Sequence, residues 1–212
     1  MLAKVRIRPT GMAADMAAAG CLAVAADTLC QKVIEERERI DWRRAGALAA
    51  FNSLYVGGFL HVLYQCYSPV VSAVATRMAA SGSALHLTAS PQHALGCAVV
   101  DNLHCGSLYI PAFFACVGTM QGQTLGEALA LLQGEWWPTY TSCTAFWIPF
   151  MAANFRMVAP ARRVQAMAVA NMFWNVVIDY LAHRQLHAPP SPDRPALLFR
   201  TEQPKTVAWP LC

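Results

Sequence analysis

The sequence predicts an all-α integral membrane protein, a helical bundle of four spans plus one further segment that is either broken by proline or amphipathic. Three observations carry this. Hydrophobic residues make up 56% of the 212 residues and charged ones 13%, about half the ~25% charged content of soluble domains. Four intervals, Ala45 to Thr76, Met78 to Val100, Asn102 to Gly126 and Trp136 to Phe155, contain no Asp, Glu, Lys or Arg, and each reaches the ~20 residues that a spanning helix needs. A soluble chain of this size would have to cover its surface with charge; one whose surface meets lipid must not.

A chain of this length is a single unit. Residues 1–187 read as the membrane bundle, and 188–212, with six prolines, as an extended tail without a core of its own. The net charge of +4 is too small to argue for nucleic acid. None of the eight cysteines stands in C-x-x-C spacing, so they read as small apolar residues of bilayer helices.

In chain order, Lys4, Arg6 and Arg8 make a basic flank for the first helix, a short mitochondrial address being the alternative. From Met12 to Cys30 the chain is Ala-rich, and Ala13, Ala17, Cys21 and Ala25 recur every four residues. Such a column predicts the face on which another helix approaches closely. Lys32 to Arg44 mixes both signs of charge as a solvated connection. The second span is expected over Ala45 to Tyr67, with Gly57 and Gly58 in its middle, ending at Ser68-Pro69. A loop follows over Ala80 to Gln92, then a third span from Ala94 to Gly118, kinked at Pro111.

Gln121 to Gly134, with Leu125, Leu129 and Leu132, fits an interfacial amphipathic helix. Trp136 to Val158 is long enough to cross but holds Pro138 and Pro149, and its Trp136-Trp137-Pro138-Thr139-Tyr140 start reads as a headgroup-level aromatic belt. Val164 to His183 makes the last span. Lys and Arg divide almost evenly between the two sides, so charge gives no orientation.

Asp101, with Asn102 and His104 beside it, lies in charge-free sequence at membrane depth. An ionisable group there is costly and is expected to face the bundle interior, either lining a path for a solute or proton or bonding helix to helix. Asp101, His61 and Asn154 are the candidate lining of that path. No catalytic residue is expected: H-E-x-x-H, G-x-S-x-G, P-loop and Rossmann patterns are all missing. One histidine and a distant Asp101–His104 pair do not make a metal site. His183 and His187 share i, i+4 spacing only at the end of the last helix. The chain is read as non-enzymatic, without cofactor or metal.

Several residues together resemble the Mpv-seventeen / 22-kDa peroxisomal membrane protein family of small four-helix membrane proteins. Asp27 and Gln31 match its D-x-x-x-Q, Asp41 and Arg44 its D-x-x-R, and Gly57, His61 and Tyr64 a glycine, histidine and tyrosine of its second helix. Asp101 and Pro111 match the third helix, and Gly122 a glycine turn. The most specific part is C-terminal: Trp147, Asn154, Phe155, Val158, Arg163, Trp174 and Asn175 keep the family's spacing. The resemblance runs from Asp27 to Leu181. Departures are Ile148 where the family has proline, Met151 for its glutamine, Val158-Ala159-Pro160 for its V-P, Gly57-Gly58 for its G-P, and Asn102 for the usual Gln.

The signature residues have structural readings. Trp147 and Trp174 are wedges between helices or anchors at an interface. Asn154 and Asn175 hydrogen-bond across helices, Phe155 accompanies them, and Arg163 caps the turn between the last two segments at the lipid headgroups. The resemblance implies a mitochondrial inner-membrane protein, with the peroxisomal membrane as the alternative. Its implied role is channel-like solute permeation and mitochondrial homeostasis. The alternative is a non-catalytic accessory subunit of a respiratory-chain or ATP-synthase assembly. The expected partners are membrane lipids and other membrane-protein subunits or copies of itself, with no nucleic acid.

Overall fold

A computed structural model describes residues 11–80 and 90–186, with side chains over 11–77 and 91–176. The basic residues Lys4, Arg6 and Arg8, the side chains of Asp179, His183 and His187, and the tail from 188 lie outside those ranges. Among the described residues every regular element is helical, as expected, and the helices form five columns. The first is α1 (Met12–Leu29), continued by a π-helical turn, Cys30–Ile34. The second joins α2 (Trp42–Phe51), a π-helix (Asn52–Phe59) and α3 (Leu60–Ala80); the third joins α4 (Ser90–His104), a π-helix (Cys105–Tyr109) and α5 (Ile110–Met120). Then come α6 (Leu125–Met157), a 3-10 turn (Pro160–Arg162) and α7 (Arg163–Leu186). Three segments are long and apolar enough to cross a membrane, Met12–Ile34, Trp42–Arg77 and Pro91–Met120. The last helix and α6 complete the bundle around them. Leu54, Phe59, Leu103 and Phe173 point outward and are exposed, which suits a surface bathed in lipid rather than water.

Local chemistry sets the element ends. Asp41 caps α2 by accepting from the Arg44 amide at 3.1 Å, and Thr124 and Glu127 form a reciprocal capping box at the start of α6. The Thr124 amide and hydroxyl hold the exposed Glu127 carboxyl below its ordinary value. Between α5 and α6, Gly122 takes φ +101°, a conformation that L side chains rarely adopt. The Arg43 guanidinium lies against it and donates to the Met120 carbonyl at 3.1 Å, closing the end of α5.

The structure redraws several expected boundaries. α3 does not end at Ser68-Pro69 but runs through Pro69 to Ala80. The amphipathic helix expected over Gln121 to Gly134 and the proline-broken Trp136 to Val158 are one helix of 33 residues, about 50 Å long. Pro138 and Pro149 each remove one backbone hydrogen bond, but α6 lies antiparallel along α4 and α5, and that packing carries the helix through both. The kink expected at Pro111 is instead the π-helical turn Cys105–Tyr109 just before it; the wider turn takes up the carbonyl that a proline ring displaces. The aromatic cluster expected at headgroup level packs against the middle of the third column. Trp136 stacks on Tyr140 at 5.1 Å and donates its indole N–H to the Gly106 carbonyl at 2.8 Å.

The first helix does pack through small residues, but on the other face. Ala13, Ala17, Cys21 and Ala25 are all exposed, whereas Asp15, Ala19, Ala23, Ala26 and Asp27 are buried. In an Ala-rich helix every face is small, so spacing alone does not choose; the two aspartates need partners and turn their side inward. Contact with the second column is backbone to backbone. A Cβ on Gly57 would lie 2.3 Å from the Met16 Cα, and one on Gly20 would lie 2.2 Å from the Ser53 hydroxyl. Replacing Gly57 with alanine should lower stability by about 1–3 kcal/mol, read as a drop in thermal midpoint of the detergent-purified protein. Gly46→Ala, inside α2 where a Cβ meets nothing within 4 Å, should keep or slightly raise the midpoint, because alanine is the better helix former.

Candidate functional site

Polar side chains in an apolar bundle must find partners inside it, and here they gather into four groups. The first lies where the first two columns meet at one end of the bundle. Arg44 is buried, and its Nε lies 2.6 Å from Asp27 Oδ1, while a second guanidinium nitrogen pairs with Glu35. Gln31, fully buried, donates to Asp27 at 2.7 Å and accepts from the Asp41 amide at 2.6 Å. The sequence matches D-x-x-x-Q and D-x-x-R therefore describe one ion-pair cluster that ties the end of α1 to the start of α2.

The second group lies toward the other end of α1. Asp15, 3% exposed, meets His61 Nδ1 at 2.7 Å and accepts from Gln165 Nε2 at 3.1 Å, joining α1, α3 and α7. The third is the turn between α6 and α7. Asn154 donates to the Arg163 carbonyl at 3.2 Å; Arg163 donates to the carbonyls of Phe155 and Val158 at 3.0 and 3.2 Å and lies 5.1 Å over the Phe155 ring. Beside this turn, Trp174 stacks on Phe146 at 4.4 Å and meets Trp147 edge-on at 6.5 Å.

The fourth group surrounds a cavity of about 40 Å³ between α3, α4, α6 and α7, with Asp101, Tyr64, Asn102, His104 and Asn171 in its wall. This is room for about two or three waters. The Asp101 carboxyl faces the Tyr64 and Tyr67 hydroxyls. Tyr55 and His104 Nε2 are hydrogen-bonded at 2.8 Å. Asn102 donates to the Tyr140 hydroxyl at 2.8 Å and accepts from Thr144 at 3.1 Å. Asn171 reaches Asn52 at 3.3 Å, and Asn52 in turn donates to the Leu48 carbonyl. Beyond the cavity, toward the Arg44 cluster, the interior is filled by rings: Phe51 packs at 5.7 Å on Tyr109 and 5.2 Å on Phe113.

Of the three residues expected to line a path, Asp101 lines this cavity, whereas His61 belongs to the Asp15 group and Asn154 to the turn before α7. Asn154 and Arg163 sit in the cross-helix and capping contacts read from the sequence. For Asn175 the buried Oδ1 has no hydrogen-bond partner among the described residues. Tyr55, Asn52 and Asn171 were not singled out. A lone asparagine inside an apolar span carries the signal that would have found the last two, because at depth its amide has to pair with something.

The pattern of the family described as Mpv17 / PMP22 matches residues 118–179, which include α6 and the turn into α7. Protein SYM1 of Saccharomyces cerevisiae is 35% identical over 81 residues, 38% of this chain and 41% of that protein, so the match spans under half the length of this relative. Protein SYM1 of Mycosarcoma maydis is 27% identical over 165 residues, 76% of this chain and 74% of that protein. The mitochondrial inner membrane protein Mpv17 of Danio rerio is 24% identical over 168 residues, 78% of this chain and 86% of that protein.

The chain is thus similar to Mpv17 / PMP22 proteins, most specifically over residues 118–179. No solved structure matches it. Three of its helical segments are long and apolar enough to cross a membrane, and the Danio rerio relative is named as a mitochondrial inner membrane protein. The family's matched region holds Trp147, Asn154, Arg163 and Trp174, which here do structural work: they lock α6 to α7. Asp101 and the Arg44 cluster lie outside that region. Changing Arg44 to Met would leave the buried Asp27 carboxylate without a countercharge and Glu35 with Arg37 alone, an expected cost of about 3–5 kcal/mol. Denaturant titration in detergent should show it, with part of the loss recovered in the Asp27→Asn, Arg44→Met double variant.

Proposed function

We propose that this Mpv17 / PMP22 member is a non-enzymatic, channel-like protein of the mitochondrial inner membrane that lets a small polar species pass through the interior of its bundle and so serves mitochondrial homeostasis. One observation carries the reading. Asp101, a carboxylate in the middle of the third spanning segment, faces inward onto a cavity whose wall also holds Tyr64, Asn102, His104 and Asn171. Ionisable residues at membrane depth are costly and gather where ions or polar solutes move. Unlike Asp15 and Asp27, which meet His61 and Arg44, Asp101 faces hydroxyls and a cavity rather than a cation. The aromatic fill of Phe51, Tyr109 and Phe113 beside the cavity makes this the closed arrangement of such a path.

A second reading, an accessory subunit of a larger respiratory or ATP-synthase assembly, has its own support. The Ala13, Ala17, Cys21 and Ala25 column of α1 faces outward, and small residues at this spacing allow close helix contact. Lipids would then share the outer surface with protein neighbours or other copies of the chain. Two measurements separate the readings. In planar bilayers the purified protein should conduct, and Asp101→Ala should reduce the conductance about tenfold or more; an unmodified protein that conducts nothing removes the channel reading. On native gels in mild detergent, migration only at monomer or small-oligomer mass would remove the subunit reading.

A further inference from the structure

The seam between the second and third columns carries a ladder of proton-bearing side chains. On the second column the rungs are hydroxyls: Ser68, Tyr67, Tyr64 and Tyr55. On the third they are titratable groups: His93, Asp101 and His104. Ser68 Oγ lies 2.9 Å from His93 Nε2, Tyr67 and Tyr64 face the Asp101 carboxyl, and Tyr55 Oη lies 2.8 Å from His104 Nε2. His93, Cys97, Asp101 and His104 fall four, four and three residues apart, the spacing of one helix face. A hydroxyl or imidazole can accept one proton while giving up another, so each rung has the chemistry of a proton relay.

Three details give the ladder a direction. His93 stands near the start of the third spanning segment, Pro91–Met120, and is partly exposed, so the ladder opens at one end of the bundle. The Tyr67 hydroxyl is buried, with the residue 3% exposed, and although it faces Asp101 it completes no hydrogen bond of good geometry. A donor is thus aimed at the carboxyl without being tied to it. The cavity beside Asp101, at about 40 Å³, admits water but no organic metabolite.

We propose that this seam is a proton path, and that the species passing through the Asp101 cavity is the proton, carried over water and side chains, rather than an organic solute. Protons enter at His93 and Ser68, move past Cys97 and Tyr67 to the Asp101 carboxylate, and cross the cavity water to His104 and Tyr55. In each hop one O–H, N–H or S–H bond breaks and one forms on the neighbour, so the only net change is the displaced proton. Asp101 is the one carboxylate in the cavity wall. Tyr64 and Tyr67 face it from α3 and His104 and Cys105 from its own column, while α6 and α7 contribute the uncharged Trp147 and Asn171. Arg163 of α7 is the cation near the entry, beside Cys97. Phe51, Tyr109 and Phe113 close the far side, so conduction through to the other face requires those rings to part.

This inference rests on the permeation reading and names its permeant. The test is the full chain in liposomes enclosing a pH-sensitive dye, with a potassium gradient and valinomycin to drive proton entry. Potassium release without valinomycin and swelling in glycerol are measured in parallel. The expected result is dye acidification well above that of empty liposomes, at least tenfold slower with Asp101→Asn, several-fold slower with Ser68→Ala or Tyr67→Phe, and unchanged with Ser107→Ala, an exposed hydroxyl of the same column. Tyr67→Phe keeps the ring and its packing, so the test stands even should the Asp101 variant misfold. Acidification that Asp101→Asn and Tyr67→Phe leave unchanged, or potassium and glycerol passing as readily as protons, overturns the proton path and leaves the permeation reading in place. Liposomes tight to every species overturn both.

Discussion

The placement of α1 on the second column governs the rest of the bundle. Where Gly57 crosses Met16 and Gly20 crosses Ser53 there is no room for a Cβ, so the two backbones touch. That contact sets the register at both ends of α1: Asp15 arrives at His61, and Asp27 arrives at Arg44. An apolar crossing alone would tolerate sliding, because lipid and side chain are equally apolar and nothing penalises a shift. Two buried carboxylates, each needing a specific partner, remove that freedom.

The three π-helical stretches bear on the same problem. A π-turn holds one extra residue, so it redirects every side chain after it. In the second column the stretch Asn52–Phe59 contains Asn52, Ser53, Tyr55 and Gly57, the residues that meet Asn171, Gly20, His104 and Met16. In the third column, the stretch Cys105–Tyr109 places Gly106 under Tyr140, with its carbonyl paired to the Trp136 indole. The wide turns are thus where the columns exchange polar contacts, and the cavity lies between them. The interior divides accordingly: hydroxyl, imidazole and carboxyl groups toward the His93 end, packed rings and then the Arg44 ion pairs toward the other.

The C-terminal signature has a different role from the cavity. Trp147, Asn154, Phe155, Arg163 and Trp174 are legible in the sequence because their spacing is fixed, and they join α6 to α7 through ring stacking, one amide bond and one arginine cap. Only Trp147 of these reaches the cavity wall. Asp101 stood out for the opposite reason, as a single charge in an uncharged stretch. Its surroundings were harder to read. His61 pairs with Asp15 on a helix 46 residues away in sequence, and nothing in one chain's spacing ranks that partner above Asp101. Asn52, Asn171 and Tyr55 carry no charge, so their polarity is hidden among the aromatics and small residues around them.

What the sequence determined by itself was whatever depends on composition along one segment. The scarcity of charge dictates a lipid-facing helical bundle, and the long charge-free run from Ala45 to Thr76 places the second column as a spanning segment. What only the tertiary structure decided was whatever depends on a neighbour. It chose the face of α1 that turns inward, because in an Ala-rich helix every face is small and the aspartates' partners break the tie. It carried α6 through two prolines, because packing along α4 and α5 outweighs two missing hydrogen bonds. It also gathered Asp101 with hydroxyls from another column, since hydrogen-bond partners in a dry interior are assigned by distance in space and leave no trace in spacing along the chain.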